Sequence, residues 1–195
     1  MRTSETFPTD RMIYSSEDLK AIGYSSYMIR KLVQAGTLHK LNKRYYENPA
    51  YTGEESDFLY VSAYVPSGVI CLLSAAVYYD LTTYIPDSIE VAVPRKTNIS
   101  TLPEFPELHL RYFSEERYQS GIVTVFVGDD HFRIYDIEKT VVDILYYRRN
   151  VGAEETKEIL TSYLRREDRD LNRLMRYAEK LKCGEILRTY LEVLL

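Results

Sequence analysis

Two short amphipathic segments, joined at a single glycine, constrain the N-terminal part of this chain more than any other feature. The first begins at Ser15 or Ser16, whose hydroxyl can cap a helix, and ends at Gly23, which suits a left-handed helix stop. The second begins directly afterwards, at Ser25 or Ser26. Two short helices around a tight glycine-containing turn predict a helix-turn-helix.

The second segment has one apolar and one polar face. Its apolar residues recur at the helical spacing of a core-facing stripe, and they are Met28, Ile29, Leu32 and Val33. Leu19 and Ile22, one turn apart, give the first segment a similar apolar side. The polar face of the second segment carries Tyr27, Arg30, Lys31 and Gln34. Such side chains read base edges and hold phosphates in a major groove, so the segment is predicted to be a DNA-recognition helix.

A β-hairpin is predicted directly after the second helix. Residues 38–46 alternate well enough for two short strands around an Asn42-Lys43 turn, since Asn tolerates the left-handed conformation. A hairpin in this position is a wing, whose cations reach the DNA backbone or the neighbouring minor groove. The complete predicted DNA-binding set is Lys20, Ser25, Ser26, Tyr27, Arg30, Lys31, Gln34, Lys40, Lys43 and Arg44.

The charge of the chain is unevenly distributed. The formal net charge is −4, which by itself argues against a nucleic-acid partner. Residues 12–46, however, carry +4, whereas residues 47–152 carry −8 and residues 153–195 are neutral. This asymmetry indicates a basic binding module attached to a part of the chain with another task.

The remainder of the chain mixes helical and strand patterns. Residues 48–56 contain Pro, Gly and acidic residues and are predicted to be a linker. Helices are predicted over 57–65, 70–80, 137–148, 153–165, 170–181 and 185–194, and strands over 88–93, 108–113, 122–127 and 131–135. The predicted fold class is α+β. A winged helix-turn-helix domain (1–47) and the linker (48–56) precede a mixed α/β C-terminal domain (57–195) that ends in a helical segment.

No catalytic or metal-binding arrangement is expected. Asp87 and Glu90 resemble the start of a nuclease metal motif, but Ala92 stands where that motif needs a lysine. The Asp129-Asp130 pair is better explained as a turn between two strands than as a metal site. We therefore predict a protein that is not an enzyme, with no metal and no cofactor.

A cytoplasmic location is predicted. Residues 1–10 are polar and do not resemble a secretory signal, and the apolar run 69–79 is too short to span a bilayer. Cys71 and Cys183 lie in apolar contexts that look like helix interiors, so we expect buried, reduced thiols and no membrane partner.

A second basic face is a further candidate in the C-terminal part. Arg169, Arg173 and Arg176 lie at helical spacing, with Arg165 and Arg166 just upstream. Neighbouring carboxylates can pair with this face, which favours a salt-bridged surface over a second DNA contact. These carboxylates are Glu167, Asp168, Asp170 and Glu179.

Several segments together resemble the AbiEi-type antitoxins of bacterial abortive-infection systems. They are SSEDL to AGTL in the predicted helix-turn-helix, VICLLSAAVYYDLT at 69–82, IPDSIEVAVPR at 85–95 and IYDIEKTVVDIL at 134–145. The sequence departs from the family pattern at the wing turn, where a glycine is expected but Asn42-Lys43 is present.

The resemblance implies more than the residue patterns do. Such proteins are encoded beside a nucleotidyltransferase-like toxin, repress their own operon through the winged helix, and counteract the toxin through the C-terminal domain, usually without a stable complex. Residues 25–34 and 40–44 match the DNA-reading portion. Two alternatives stay open: a ligand-sensing winged-helix regulator without a toxin, and a nuclease with a DNA-targeting head.

Overall fold

The structure, a computed structural model, describes residues 7–194, so residues 1–6 and Leu195 of the predicted domains lie outside it. Within this range the chain is mixed α+β, with ten helices and two sheets. The strands are β1 (Ile13–Ser15), β2 (His39–Lys40), β3 (Tyr45–Glu47), β4 (Val69–Ile70), β5 (Ile89–Pro94), β6 (Leu108–Phe113), β7 (Ile122–Val127) and β8 (Asp130–Tyr135).

The helices follow the predicted order with two additions. They are α1 (Ser16–Ala21), α2 (Ser26–Gln34), α3 (Phe58–Tyr64), α4 (Leu72–Tyr78), α5 (Glu115–Gln119), α6 (Ile137–Tyr146), α7 (Arg148–Val151), α8 (Ala153–Arg165), α9 (Leu171–Lys180) and α10 (Gly184–Leu194). Neither α5 nor α7 is predicted from the sequence, because each is too short to show a helical period. None of the described helices is long and apolar enough to cross a membrane.

Local hydrogen bonds set the boundaries of the two N-terminal helices. The Ser15 hydroxyl accepts the Asp18 N–H at 3.0 Å, and the Asp18 carboxylate accepts the Ser15 N–H at 2.8 Å. This reciprocal pair is a capping box. The Ser25 hydroxyl accepts the Met28 N–H at 3.3 Å, and Gly23 between the helices has φ +99°. The predicted caps and the predicted glycine stop are confirmed.

A three-stranded antiparallel sheet packs with these helices. Its order is β1-β3-β2, so the predicted hairpin supplies two strands and β1 a third. The small core between helices and sheet contains Tyr14, Leu19, Ile29 and Leu38. At three residues, β1 is too short for its alternation to be recognised in the sequence.

The predicted apolar sides of the two helices are only partly correct. Ile22 is 51% exposed and Met28 is 39% exposed, whereas Leu19 and Ile29 are buried. The helix α1 has only six residues, so a single position reaches the core, and Met28 lies on the side of α2 next to exposed Tyr27. Both exposed apolar residues therefore belong to the surface.

The hairpin turn differs from the predicted left-handed turn. Positive φ outside glycine occurs in the described chain at Leu72, Asp80 and Lys182, and not at Asn42. Instead, the Asn42 side-chain oxygen accepts the N–H groups of the second and third residues after it, at 2.9 and 3.0 Å. An Asn side chain that mimics a backbone turn in this way removes the need for a glycine.

The second sheet has five strands and is covered on both faces. Its order is β6-β5-β4-β8-β7, with β5–β6 and β4–β8 parallel and the other two pairs antiparallel. Alternation along β5 sends Val91 and Val93 to the face covered by α3, and Ala92 to the face covered by α6 and the C-terminal helices. Because both faces are covered, three consecutive residues of the strand, Val91, Ala92 and Val93, are apolar, and the one charged residue, Glu90, is paired with Arg111.

The short central strand β4 corrects one predicted element. The sequence predicts a helix over 70–80, but Val69–Ile70 pair with β5 on one side and β8 on the other, and the helix begins only at Leu72. Cys71 immediately precedes that helix and Cys183 immediately precedes α10, so neither cysteine lies inside a helix. Both are buried, as predicted, and burial raises the pKa of the Cys183 thiol to about 11.

A buried carboxylate joins the N-terminal sheet to the five-stranded sheet. Asp130, the first residue of β8, accepts the N–H groups of Met12 at 2.8 Å and Ile13 at 3.2 Å. Its other oxygen accepts the Arg11 Nε–H at 3.1 Å. The predicted turn at 128–130 is present, but Asp130 is also a fixed contact between the two parts of the chain.

Further polar contacts cross the same junction. The Tyr60 hydroxyl donates to the Glu47 carboxylate at 2.5 Å, and the Tyr64 hydroxyl donates to the Leu41 carbonyl at 3.0 Å. Asn48, in the predicted linker, is buried, and its amide donates to the carbonyl oxygens of Pro8 and Arg11. The start of the predicted linker is therefore a packed segment.

A buried ionic network lies between the five-stranded sheet and the C-terminal helices. Arg117 donates to the Asp143 carboxylate at 2.5 Å and to the Leu181 carbonyl at 2.9 Å. The Lys139 ammonium contacts the other oxygen of Asp143 and lies 3.8 Å from the centre of the Tyr135 ring. Burial lowers the pKa of Lys139, an effect that Asp143 opposes. One carboxylate thus pairs with two buried cations.

We predict that Asp143→Asn destabilises the protein by about 3–5 kcal/mol, because it leaves two buried cations without a counter-charge. Urea denaturation followed by circular dichroism measures the change. Glu154→Gln, which neutralises an exposed carboxylate, is the matched control and should stay within about 0.5 kcal/mol of the original protein. Equal denaturation midpoints for the two variants would contradict the proposed role of the network.

Candidate nucleic-acid interface

The polar face of α2 is exposed. Tyr27 is 62% exposed, and Arg30, Lys31 and Gln34 are also on the surface. The Lys31 ammonium lies 5.0 Å from the centre of the Tyr27 ring, within the range of a cation–π contact. The four side chains that the sequence assigns to a recognition surface are therefore accessible to a partner.

Cations from three elements meet beside this face. A concavity of about 340 Å³ lies between α1, α2 and β2, and Lys20, Arg30 and Lys40 line it together with Ser26. Its other lining residues are Ser16, Ile29, Val33 and Tyr46, so none of the described residues around it is a carboxylate. A concave surface with charge of one sign concentrates the field and attracts anions such as phosphates.

The hairpin cations line a second groove. This groove, of about 790 Å³, separates the hairpin from the loop after β5, and Lys40, Lys43 and Arg44 lie along it. The guanidinium of Arg44 is 3.4 Å from the Glu17 carboxylate, but both side chains are mostly exposed. An exposed ion pair of this kind contributes little energy, so it leaves Arg44 available to another anion.

The two serines at the start of α2 have different surroundings. The Ser25 hydroxyl is occupied by the cap of the helix, whereas Ser26 lines the concavity. The sequence assigns both to phosphate contacts, and the geometry gives that opportunity more directly to Ser26. Tyr27, Lys31 and Gln34 do not line the concavity, although they are exposed on α2. The predicted set therefore falls on three neighbouring surfaces: the outer face of α2, the concavity and the hairpin groove.

The second basic face is partly neutralised. The Arg173 guanidinium lies 3.8 Å from both the Asp136 and the Glu138 carboxylates. Arg169 donates to the carbonyl of Arg166 at 2.5 Å. Arg165 and Arg176 are exposed on α8 and α9. These contacts favour the salt-bridged surface over a second DNA contact.

The carboxylates that pair with this face are only partly the ones the sequence suggests. Asp168 pairs with Arg166 at 2.8 Å, as predicted, whereas Glu179 pairs with Arg188 at 3.2 Å. Asp170 caps α9 by accepting a backbone N–H. The other partners, Asp136 and Glu138, are more than 30 residues earlier in the chain, which local spacing cannot reveal.

The two acidic residues of the nuclease-like motif, Asp87 and Glu90, lie in different environments. Glu90 is buried, pairs with Arg111 at 2.6 Å and accepts the Leu73 N–H at 2.8 Å, whereas Asp87 is exposed. Among residues 7–194 no group of three or more Cys, His, Asp or Glu side chains is placed to hold a metal ion.

The sequence gives no indication of two residues that position the basic surface. Asp130 and Arg11 form the junction that holds β1, and Asp130 looks in the sequence like an ordinary turn residue. The two residues are 119 positions apart in the chain, so only the folded structure shows that they are in contact. The helical spacing of Ile22 and Met28 predicts core positions, but both side chains are exposed.

Comparison with protein-family models and with curated proteins found no match to this chain. A functional proposal therefore depends on the geometry of this surface and on the resemblance carried by the sequence segments.

We predict that substitution of the two adjacent serines affects different properties, stability for Ser25 and DNA binding for Ser26. Ser25→Ala removes the cap of α2 and should destabilise the protein by about 0.5–2 kcal/mol. Ser26→Ala, its matched control, should leave stability within about 0.5 kcal/mol and weaken binding of duplex DNA. Thermal unfolding and a DNA titration of both variants measure the two effects. Equal losses of stability would contradict the assignment of the cap to Ser25.

Proposed function

We propose that this chain is an autoregulating antitoxin of a bacterial abortive-infection system. In this proposal, an N-terminal winged helix-turn-helix binds operator DNA and represses the operon. The C-terminal domain, which is not an enzyme, counteracts a nucleotidyltransferase-like toxin in the cytoplasm. The resemblance to AbiEi-type antitoxins supports the toxin partner, and the basic surface supports DNA binding.

The observation that carries the DNA-binding proposal is the convergence of Lys20, Arg30 and Lys40 on a concavity with no carboxylate among its described lining residues. A helix laid in the major groove brings its polar face to the base edges while flanking cations meet the phosphates. Arg30 belongs to the polar face of α2 and also lines the concavity, so it can pair with a guanine edge or hold a phosphate.

The hairpin extends the same surface. Lys43 and Arg44 lie at its tip, beyond the end of β2, where they would meet the DNA backbone beside the major groove. Four or five phosphate contacts in total would give a plot of log affinity against log salt a slope of about −4, because each contact releases roughly 0.9 counterion.

We predict that Arg30→Ala/Lys31→Ala weakens binding of a duplex carrying the chain's own promoter, by about 1–3 kcal/mol for each lost contact. The control Lys157→Ala/Lys180→Ala removes the same charge from exposed positions on α8 and α9 and should bind as the original protein does. Fluorescence anisotropy at several salt concentrations measures affinity and slope. Equal affinities of the two variants for the duplex would contradict the assignment of α2 as the recognition helix.

We further predict that the same Arg30→Ala/Lys31→Ala variant still protects cells from the toxin. The substituted side chains are exposed and lie outside both cores of the C-terminal part, so its fold should be unchanged. The measurement is growth of cells that express the neighbouring nucleotidyltransferase-like gene together with each variant at matched protein level. If protection is lost along with DNA binding, the two activities cannot be assigned to separate parts of the chain.

A cavity supports the alternative of a ligand-sensing regulator. It measures about 400 Å³, lies at the junction of the two sheets and is lined by Arg11, Asp18, Asp130 and Arg133 among others. This volume is within the range of small-molecule sites. A transporter or metabolic-enzyme gene beside this one would favour the sensor, and a nucleotidyltransferase gene would favour the antitoxin.

A further inference from the structure

A groove on the C-terminal part exposes two large apolar side chains. Ile85, before β5, is 80% exposed, and Phe105, before β6, is 78% exposed. Both line a groove of about 370 Å³, together with the partly buried Phe58 and Val77. Large apolar residues exposed together beside an apolar depression, rather than singly, are a feature of interaction sites.

Carboxylates surround this groove. Four exposed acidic residues line it, and they are Asp57, Asp87, Glu104 and Glu107. Its described lining contains no lysine, arginine or histidine. The groove thus combines apolar side chains with four exposed carboxylates and no cation among its described lining residues.

We propose that this groove docks a basic segment of a partner protein, in which lysine or arginine residues flank a large apolar side chain. The apolar side chain would contact Phe105 and Ile85, and the flanking cations would meet the four carboxylates. Aromatic anchors with a complementary charged edge carry much of the energy and specificity of protein interfaces.

The charge of the groove selects between classes of macromolecule. Nucleic acid presents phosphates, which four carboxylates repel, so a duplex does not fit here. A cationic protein segment gains from the same carboxylates. This inference depends on no part of the DNA-binding proposal, because none of the residues that line the basic concavity or the hairpin groove lines this one.

The test is a nuclear magnetic resonance titration of the full-length protein with an octapeptide in which a leucine-phenylalanine pair is flanked on each side by two lysines and a terminal glycine. We expect amide shifts confined to residues around the groove. The affinity for the peptide should fall by about tenfold or more in Glu104→Lys/Glu107→Lys and in Phe105→Ala. A tenfold loss corresponds to about 1.4 kcal/mol of binding free energy. These positions are exposed, so the variants should fold normally.

Matched controls separate this site from general attraction to an acidic protein. Glu167→Lys/Glu192→Lys reverses two exposed carboxylates elsewhere, and Phe126→Ala removes an aromatic ring that is 71% exposed on β7. Both should bind the peptide as the original protein does. A second peptide with serines in place of the leucine-phenylalanine pair should bind at least about tenfold more weakly, since each factor of ten is about 1.4 kcal/mol.

Three outcomes of the titration would overturn the inference. They are amide shifts located away from the groove, an equal loss of peptide affinity in the control variants, and equal affinity for the serine peptide. Sedimentation of the free protein provides the last check. Self-association that disappears in Phe105→Ala would assign the groove to a second copy of this chain instead.

Discussion

The Asp130 carboxylate determines where the N-terminal part of the chain lies. Its two oxygens accept the N–H groups of Met12 and Ile13 and the Arg11 Nε–H, and the side chain is almost fully buried. Hydrogen bonds to a charged acceptor are stronger than those between neutral groups, and a buried carboxylate left without them would be strongly disfavoured. The strand β1 that they hold pairs with β3, and its last residue, Ser15, caps α1. Strand, hairpin and helix are therefore connected to the five-stranded sheet through this side chain, and the hydroxyls of Tyr60 and Tyr64 add contacts to the hairpin.

Tyrosine supplies much of the remaining polar contact. The chain has nineteen tyrosines, and several combine a packed ring with a hydroxyl that finds a buried partner. The Tyr79 hydroxyl donates to the Tyr135 carbonyl at 2.9 Å, and the Tyr177 hydroxyl donates to Asp136 at 2.8 Å. Burial and that carboxylate raise the pKa of Tyr177 to about 12, so it stays a neutral donor over the whole physiological range. These rings are structural, in contrast to exposed Tyr27 on α2.

The sequence predicts features that depend on near neighbours. The caps at Ser15 and Ser25 and the strand predicted over 88–93 each need only a few consecutive residues, and the structure confirms them. Features that depend on distant residues could not be predicted. Asp130 meets β1 across more than 110 positions, and the two-residue strand β4 is recognisable only from the strands that flank it. The candidate surface divides in the same way. Local spacing identified the exposed face of α2, whereas the concavity needed Lys20 and Lys40 to be brought together by tertiary packing.

The net charge of −4 hides a separation of opposite charges. Cations gather around the two N-terminal helices and the hairpin, and carboxylates surround the apolar groove of Ile85 and Phe105. Because ionic solution screens exposed charges beyond about 8 Å at physiological salt, each surface attracts partners according to its own local charge and not to the total. A phosphate-bearing partner and a cationic partner would therefore be attracted to different faces of the same molecule. The polar junction at Asp130 attaches the basic face to the part of the chain that carries the acidic groove, so the two surfaces of opposite charge belong to one connected structure.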